Sequence, residues 1–163
     1  FILGDARALN ELPGIKADEF DAVTFLLSIQ DMDPLDDVLR AAAWALRPGG
    51  NLVMLMTHPC FRIPRQSGWG WDEGRKLRFR RVDRYLTPLP VPMKPPSGGE
   101  TRSFHRPLQA YINGLAAHAM LTEQIAEIPA YDERDAKAQA RADNLADREI
   151  PLFLGIRAVK VAR

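Results

Sequence analysis

Three histidines, one cysteine and a scatter of carboxylates are the groups in this 163-residue chain that could move protons or attack an electrophile. His58 closes an apolar run and His105 stands just before a helix-opening proline, both where an element would deliver a side chain to a ligand. Imidazole suits a general base near neutral pH, and the competing reading of His58 is a hydrogen bond that anchors the segment after it. His118 falls inside an amphipathic stretch and reads as structural or exposed. Gln30 and Asp31 offer polar groups after another apolar run, with helix capping as the alternative for Asp31 and the preferred reading for Asp33. Arg106 suits an anion clamp. Tyr111 either reaches the same place from its helix or packs in the core. Cys60 would need a base and a stabilising positive charge to act as a nucleophile, and reads instead as a small buried hydrophobe. Neither the cysteine nor the histidines show metal-ligand spacing, so no metal site is expected.

These residues need a scaffold, and the stretch 20–59 supplies one: strand, loop, helix, glycine-containing turn, strand. Residues 20–27 form an apolar run rich in β-formers, as expected of a strand covered on both faces. Asp33-Pro34 supplies a cap and a first-turn proline, and Asp36 and Asp37 favour the helix dipole. Leu35, Val38, Leu39, Ala42 and Leu46 then recur on one helical face. Arg47-Pro48-Gly49-Gly50 ends that helix, and 52–56 is the next buried strand. A right-handed crossover makes the two strands parallel neighbours, and such sheets bind ligands beyond the carboxyl ends of their strands, here 28–33 and 57–61.

Composition sets the outer limits. At 46% hydrophobic the chain can form one domain over residues 1–163. No apolar run approaches the roughly 20 residues of a membrane span, and no basic, signal-like segment opens the chain. A single cysteine allows no intrachain disulfide, so a cytoplasmic setting is the default. The net charge of +1 gives no general reason to expect nucleic acid.

Residues 61–107 differ in character. They hold seven of the 13 prolines, and the slightly wider window 60–108 has eleven Lys/Arg against four Asp/Glu, an excess of +7. Trp69, Trp71, Phe79 and Tyr85 interleave with the charges, and residues around Leu77, Phe79 and Val82 suggest a hairpin strand. Long segments of this kind in compact domains tend to be functional or disordered, and this one reads as a cap over the mouth of a site. It would select a small acceptor and exclude water, or bind nucleic acid through phosphates and stacking, or simply form a solvated face. After it come a helix opened by Pro107, a strand over 121–128, an Ala-rich stretch over 131–149 read as an exposed helix or a mobile connection, and a last strand over 152–161.

FDAVTFLLSIQDM, the helix, and then LRPGGNLVMLMTHPCF resemble the second half of class I S-adenosylmethionine-dependent methyltransferases of the type 11-like kind. The opening GDARAL is similar to that family's third-strand motif, and FHRPLQAYINGL and IPLFLGIRAVKVAR extend the likeness loosely to the end. The resemblance implies an α/β, Rossmann-like sheet whose first βα units and glycine-rich loop are missing, with a strand over 1–5, a cap inserted after the fifth strand and an antiparallel hairpin at the end. It implies S-adenosyl-L-methionine as cofactor and S-adenosyl-L-homocysteine as product. Asp5 would accept from the adenine amino group and the Ala6 N–H would donate to the ring, beside Gly4. Leu27, Ser28 and Gln30 would line the methionine portion. His58 and His105 would serve as bases, and Asp31, Arg106 and Tyr111 would meet a small-molecule O-, N- or C-acceptor. Two rivals stand beside it. One is an inactive remnant acting as an assembly module, with an uncovered sheet edge inviting a homodimer. The other is a Rossmann-like enzyme using another nucleotide cofactor, such as a dinucleotide-dependent oxidoreductase, separable by whether the final strands run antiparallel.

Overall fold

The computed structural model describes residues 1–94, 98, 101–130 and 141–162. Strand β1 (Phe20–Leu26), helix α1 (Leu35–Ala45) and strand β2 (Leu46–Thr57) form the expected βαβ unit, with β1 and β2 parallel. Two antiparallel hairpins follow: β3 (Ser67–Asp72) with β4 (Leu77–Val82), and β5 (Leu89–Met93) with β6 (Thr101–His105). Helix α2 (Leu108–Ala117) returns the chain to the sheet, followed by β7 (Met120–Pro129), α3 (Arg141–Glu149) and β8 (Pro151–Lys160). Residues 131–140, where part of the Ala-rich stretch was expected to be helix or connection, lie outside the described residues.

The main sheet has the order β1-β2-β8-β7. Strand β8 runs antiparallel to both of its neighbours, so the last strand of the chain sits inside the sheet and reverses its direction. One sheet face is core. Val23 and Phe25 of β1, Leu52, Met54 and Met56 of β2, and Leu154, Ile156 and Ala158 of β8 meet α1 and α2 there. Helix α1 contributes Leu35, Val38, Leu39 and Ala42, the stripe its 3.6-residue period foretells, and α2 contributes Tyr111 and Leu115. The two helices approach closely at Gly114, where a Cβ would come within 2.7 Å of Leu39 Cδ1.

Three expectations are corrected. Residues 1–5 form no strand: Phe1 and Leu3 are exposed, and the segment has no ladder partner among the described residues. Strand β1 is not covered on both faces. It is an edge strand of this sheet, only Phe25 of its seven residues is buried, and the face away from α1 and α2 exposes Leu26, Val53, Leu121 and Ile128. Asp33 does not cap α1. Pro34 occupies the cap position without a side-chain hydrogen bond, and the Asp33 carboxylate is drawn to Arg106 instead.

Leu39 is fully buried between the helices and the sheet. Leu39→Ala is expected to lower the unfolding free energy by about 3 kcal/mol, read as a lower urea midpoint with an unchanged slope.

Candidate functional site

The carboxyl ends of β1 and β2 face two adjoining spaces. The larger is a cavity of about 660 Å³ lined by Gly4, Asp5, Ala6, Arg7, Asp31 and Asp33, with Leu3, Met32 and Phe104 as apolar wall. The smaller is a chamber of about 20 Å³ lined by Gln30, Thr57, Arg62, Ser103, Arg106 and Tyr111, joined by His105 and the prolines Pro59 and Pro64. Phe104 lines both, and the Arg106 guanidinium lies 5.3 Å from its ring centroid, so β6 supplies the partition.

In the cavity, Asp5 caps the turn after it: Arg7 N–H donates to Asp5 Oδ1 at 2.9 Å. The Arg7 side chain then grips the same carboxylate, with Nη2 2.6 Å from Oδ2 and Nε 3.0 Å from each oxygen. Those hydrogen bonds hold the Asp5 carboxyl down at about 2, so it remains an acceptor. Arg7 Nη1 also donates to the Asp33 carbonyl at 2.8 Å, which ties the opening loop to the loop after β1. Asp31 makes no side-chain ion pair among the described residues, and burial pushes its pKa up. Arg7 and Phe104 were not singled out in the sequence, and Asp33 was read there only as a helix cap. Arg7 was within reach, since it stands two residues after Asp5, whereas Phe104 is brought in only by the folding of β5 and β6.

The chamber gathers most of the acceptor-side candidates. Arg106, nearly buried, donates from Nη2 to the Met32 carbonyl and to Asp33 Oδ1, each at 2.7 Å. His105 Nε2–H donates to the Tyr85 carbonyl at 2.6 Å, which leaves Nδ1 as the acceptor of a neutral ring. Burial lowers the His105 pKa, the Tyr85 carbonyl opposes that, and Arg106 adds to it. Tyr111 is buried, and burial raises its phenol pKa. Gln30 donates from Nε2 to the Leu27 carbonyl at 2.8 Å, while its Oε1 is buried with no hydrogen-bond partner. That unmet acceptor is an opening for a donor from a bound molecule.

Leu27, Ser28 and His58 line neither space. Leu27 leaves β1 with φ of 50° and donates its N–H to the Leu55 carbonyl at 2.8 Å. The Ser28 carbonyl accepts from the Asp31 N–H at 2.9 Å and holds the loop. Both His58 ring nitrogens are engaged: Nδ1 accepts from the Cys60 N–H at 3.2 Å and Nε2–H donates to Glu127 Oε1 at 2.9 Å. His58 is buried, and that burial depresses its pKa despite Glu127. The Cys60 thiol meets the Tyr85 hydroxyl at 3.5 Å, and His118 pairs with Asp36 at 2.8 Å. Among the described residues no group of three or more His, Cys, Asp or Glu is placed to hold a metal ion, and no helix is long and apolar enough to cross a membrane.

A parallel βαβ unit flanked by a reversed strand, itself followed outward by β7, matches the Rossmann-like sheet of class I methyltransferases, and that is the fold of this chain. An S-adenosylmethionine dependent methyltransferase from Mesorhizobium loti superposes with a TM-score of 0.72 at 24% identity, over 96% of this chain and 67% of the other. A candidate S-adenosylmethionine dependent methyltransferase from Listeria monocytogenes gives 0.70 at 22% identity, over 91% and 65%. The same fold is found in the [4+2]-cyclase SpnF, with a TM-score of 0.53 at 17% identity, over 98% and 56%. The chain thus spans about two thirds of the length of the first two structures. No protein-family model matches the chain, and no curated protein matches it.

Because burial holds His58 and His105 below their ordinary value, the unfolded chain binds protons near pH 6.5 that the folded chain does not. Their contribution is complete above pH ~6.5 and is lost as the pH falls below it. Urea unfolding at pH 7.5 and 5.5 should show lower stability at 5.5, with a smaller difference in His58→Gln.

Proposed function

We propose that this chain carries the acceptor-side half of a methyltransferase site, and that the enzyme moves a methyl group from S-adenosyl-L-methionine to a small-molecule O-, N- or C-acceptor. The observation that carries the reading is the 660 Å³ cavity, in which Gly4, Asp5, Ala6 and Asp31 stand together at the carboxyl edge of a methyltransferase-type sheet. Its size falls within the range of small-molecule sites, and its position is where open α/β sheets bind ligands. The lining residues fit a cationic cofactor, since three carboxylates stand against the single guanidinium of Arg7.

When bound, the cofactor supplies a methyl group on a sulfonium, an already activated carbon; the acceptor's lone pair forms the new bond as the S–CH₃ bond breaks and its electrons return to sulfur. The chain's task is to position, to exclude water and to take up a proton. Asp5, kept ionised by Arg7, would accept from the adenine amino group, and Ala6 would offer its N–H to the ring. Asp31, on the same cavity wall, would offer a carboxylate near the methyl group. His105, neutral and with Nδ1 open, would receive the acceptor's proton. His58, with both nitrogens committed, fixes the start of the cap to β7.

The reversed β8 favours this reading over an all-parallel dinucleotide-binding sheet. A homodimer through the exposed face of Leu26, Val53, Leu121 and Ile128 would accord with an assembly role, and a mass that rises with concentration would reveal it.

Calorimetric titration with S-adenosyl-L-homocysteine tests the main reading. Micromolar binding is expected, weakened about tenfold or more in Asp5→Ala, because a charge-assisted hydrogen bond is lost. Absence of binding to the full chain would sink it.

A further inference from the structure

The two spaces have opposite polarity. The cavity is acidic, with Asp5, Asp31 and Asp33 against Arg7. The chamber beyond Phe104 is basic, with Arg62 and Arg106 on its wall and no carboxylate.

Arg106 is neutralised by Asp33, but Arg62 is not paired in this way. Its one side-chain hydrogen bond among the described residues runs from Nε to the Pro151 carbonyl at 3.4 Å, and it makes no ion pair within 4 Å among them. Asp147 attracts it only from longer range. The Trp69 indole explains why a guanidinium is held there nonetheless. Arg62, Arg78 and Arg80 lie 5.1, 4.2 and 5.1 Å from its ring centroid, a shared cation–π contact. Arg78 spends its charge on Asp143 at 2.9 Å, and Arg80 donates to the Phe61 carbonyl and to Ser67 Oγ. Arg62 is therefore the member of the trio with no carboxylate partner and only one side-chain hydrogen bond among the described residues, and it is the one that borders the chamber.

We infer that the chamber holds the carboxylate of the methyl acceptor, bound by Arg62 with help from the Ser103, Thr57 and Tyr111 hydroxyls, so that the substrate is a small organic anion whose body extends past Phe104 into the cavity. The inference rests on the methyl-transfer reading for the word acceptor, though the anion site stands on its own residues. A volume of about 20 Å³ is between one and two water molecules' worth, room for the two oxygens of one carboxylate. Planar guanidinium suits a carboxylate through two parallel hydrogen bonds. The cap's local excess of +7 would draw anions toward this mouth. Gln30 Oε1, the unmet acceptor on the same wall, would take a hydroxyl or amine hydrogen from the same molecule.

The test uses the full chain saturated with S-adenosyl-L-homocysteine, in low-chloride buffer, with benzoate, benzamide and benzylamine as calorimetric probes. Benzoate is expected to bind about tenfold or more tightly than benzamide, and Arg62→Gln to lose about that factor while its affinity for S-adenosyl-L-homocysteine stays within about twofold. If Arg62→Gln fails to fold by circular dichroism, Ser103→Ala replaces it and should weaken benzoate several-fold. Equal binding of benzamide or benzylamine, or an unchanged benzoate affinity in the variant, overturns the inference. Benzoate binding without S-adenosyl-L-homocysteine binding would uphold the anion site and defeat the methyl-transfer reading; the reverse result would defeat the anion site alone.

Discussion

A guanidinium almost out of water must be neutralised where it stands, or the fold around it gives way. Arg106 is in that position, with its side chain 8% exposed and Asp33 as its carboxylate partner 2.7 Å away. The pair joins the end of the cap to the loop after β1, and Arg106 also takes the Met32 carbonyl of that loop. This junction holds the end of β6 against the loop after β1. Phe104, two residues earlier, becomes the wall between cavity and chamber, and the Arg7 bond to the Asp33 carbonyl brings the opening loop to the same point. A second clasp holds the cap from the other side. The Tyr85 hydroxyl accepts the Leu108 N–H at the start of α2, while its carbonyl takes the His105 ring.

What could be read in the sequence was what depends on near neighbours. The βαβ unit shows itself through a 3.6-residue stripe between two apolar runs, and Leu39 and Met54 lie where those periods place them. The closing strands were legible for the same reason. Asp33 was misread because a capping residue and an ion-pair partner look alike locally; the difference is Arg106, 73 residues away. The one-sided burial of β1 was hidden too, since an apolar run records its composition and not which neighbours arrive to cover it. Of the site, Asp5, Ala6 and Asp31 share one space and Gln30, His105, Arg106 and Tyr111 the other, while Arg7 and Phe104 emerged only from the folded chain.

The fold by itself leaves chemistry open. A [4+2]-cyclase shares it, as do enzymes described as methyltransferases, so function has to be argued from the groups at the mouth and not from the sheet beneath. Here those groups are sorted by sign, acidic on the side of the opening loop and basic beneath the cap.

Strand β8 has a consequence for how the chain folds. It follows both β2 and β7 in the chain, yet it lies between them and bonds to both along most of its length. Until it arrives, β2 and β7 have no ladder to share on that side, and the core face of β2 waits uncovered by Leu154, Ile156 and Ala158. The sheet therefore closes out of chain order: before β8 docks, β2 and β7 each present an unpaired edge, the condition in which chaperone capture and intermolecular strand exchange compete with folding.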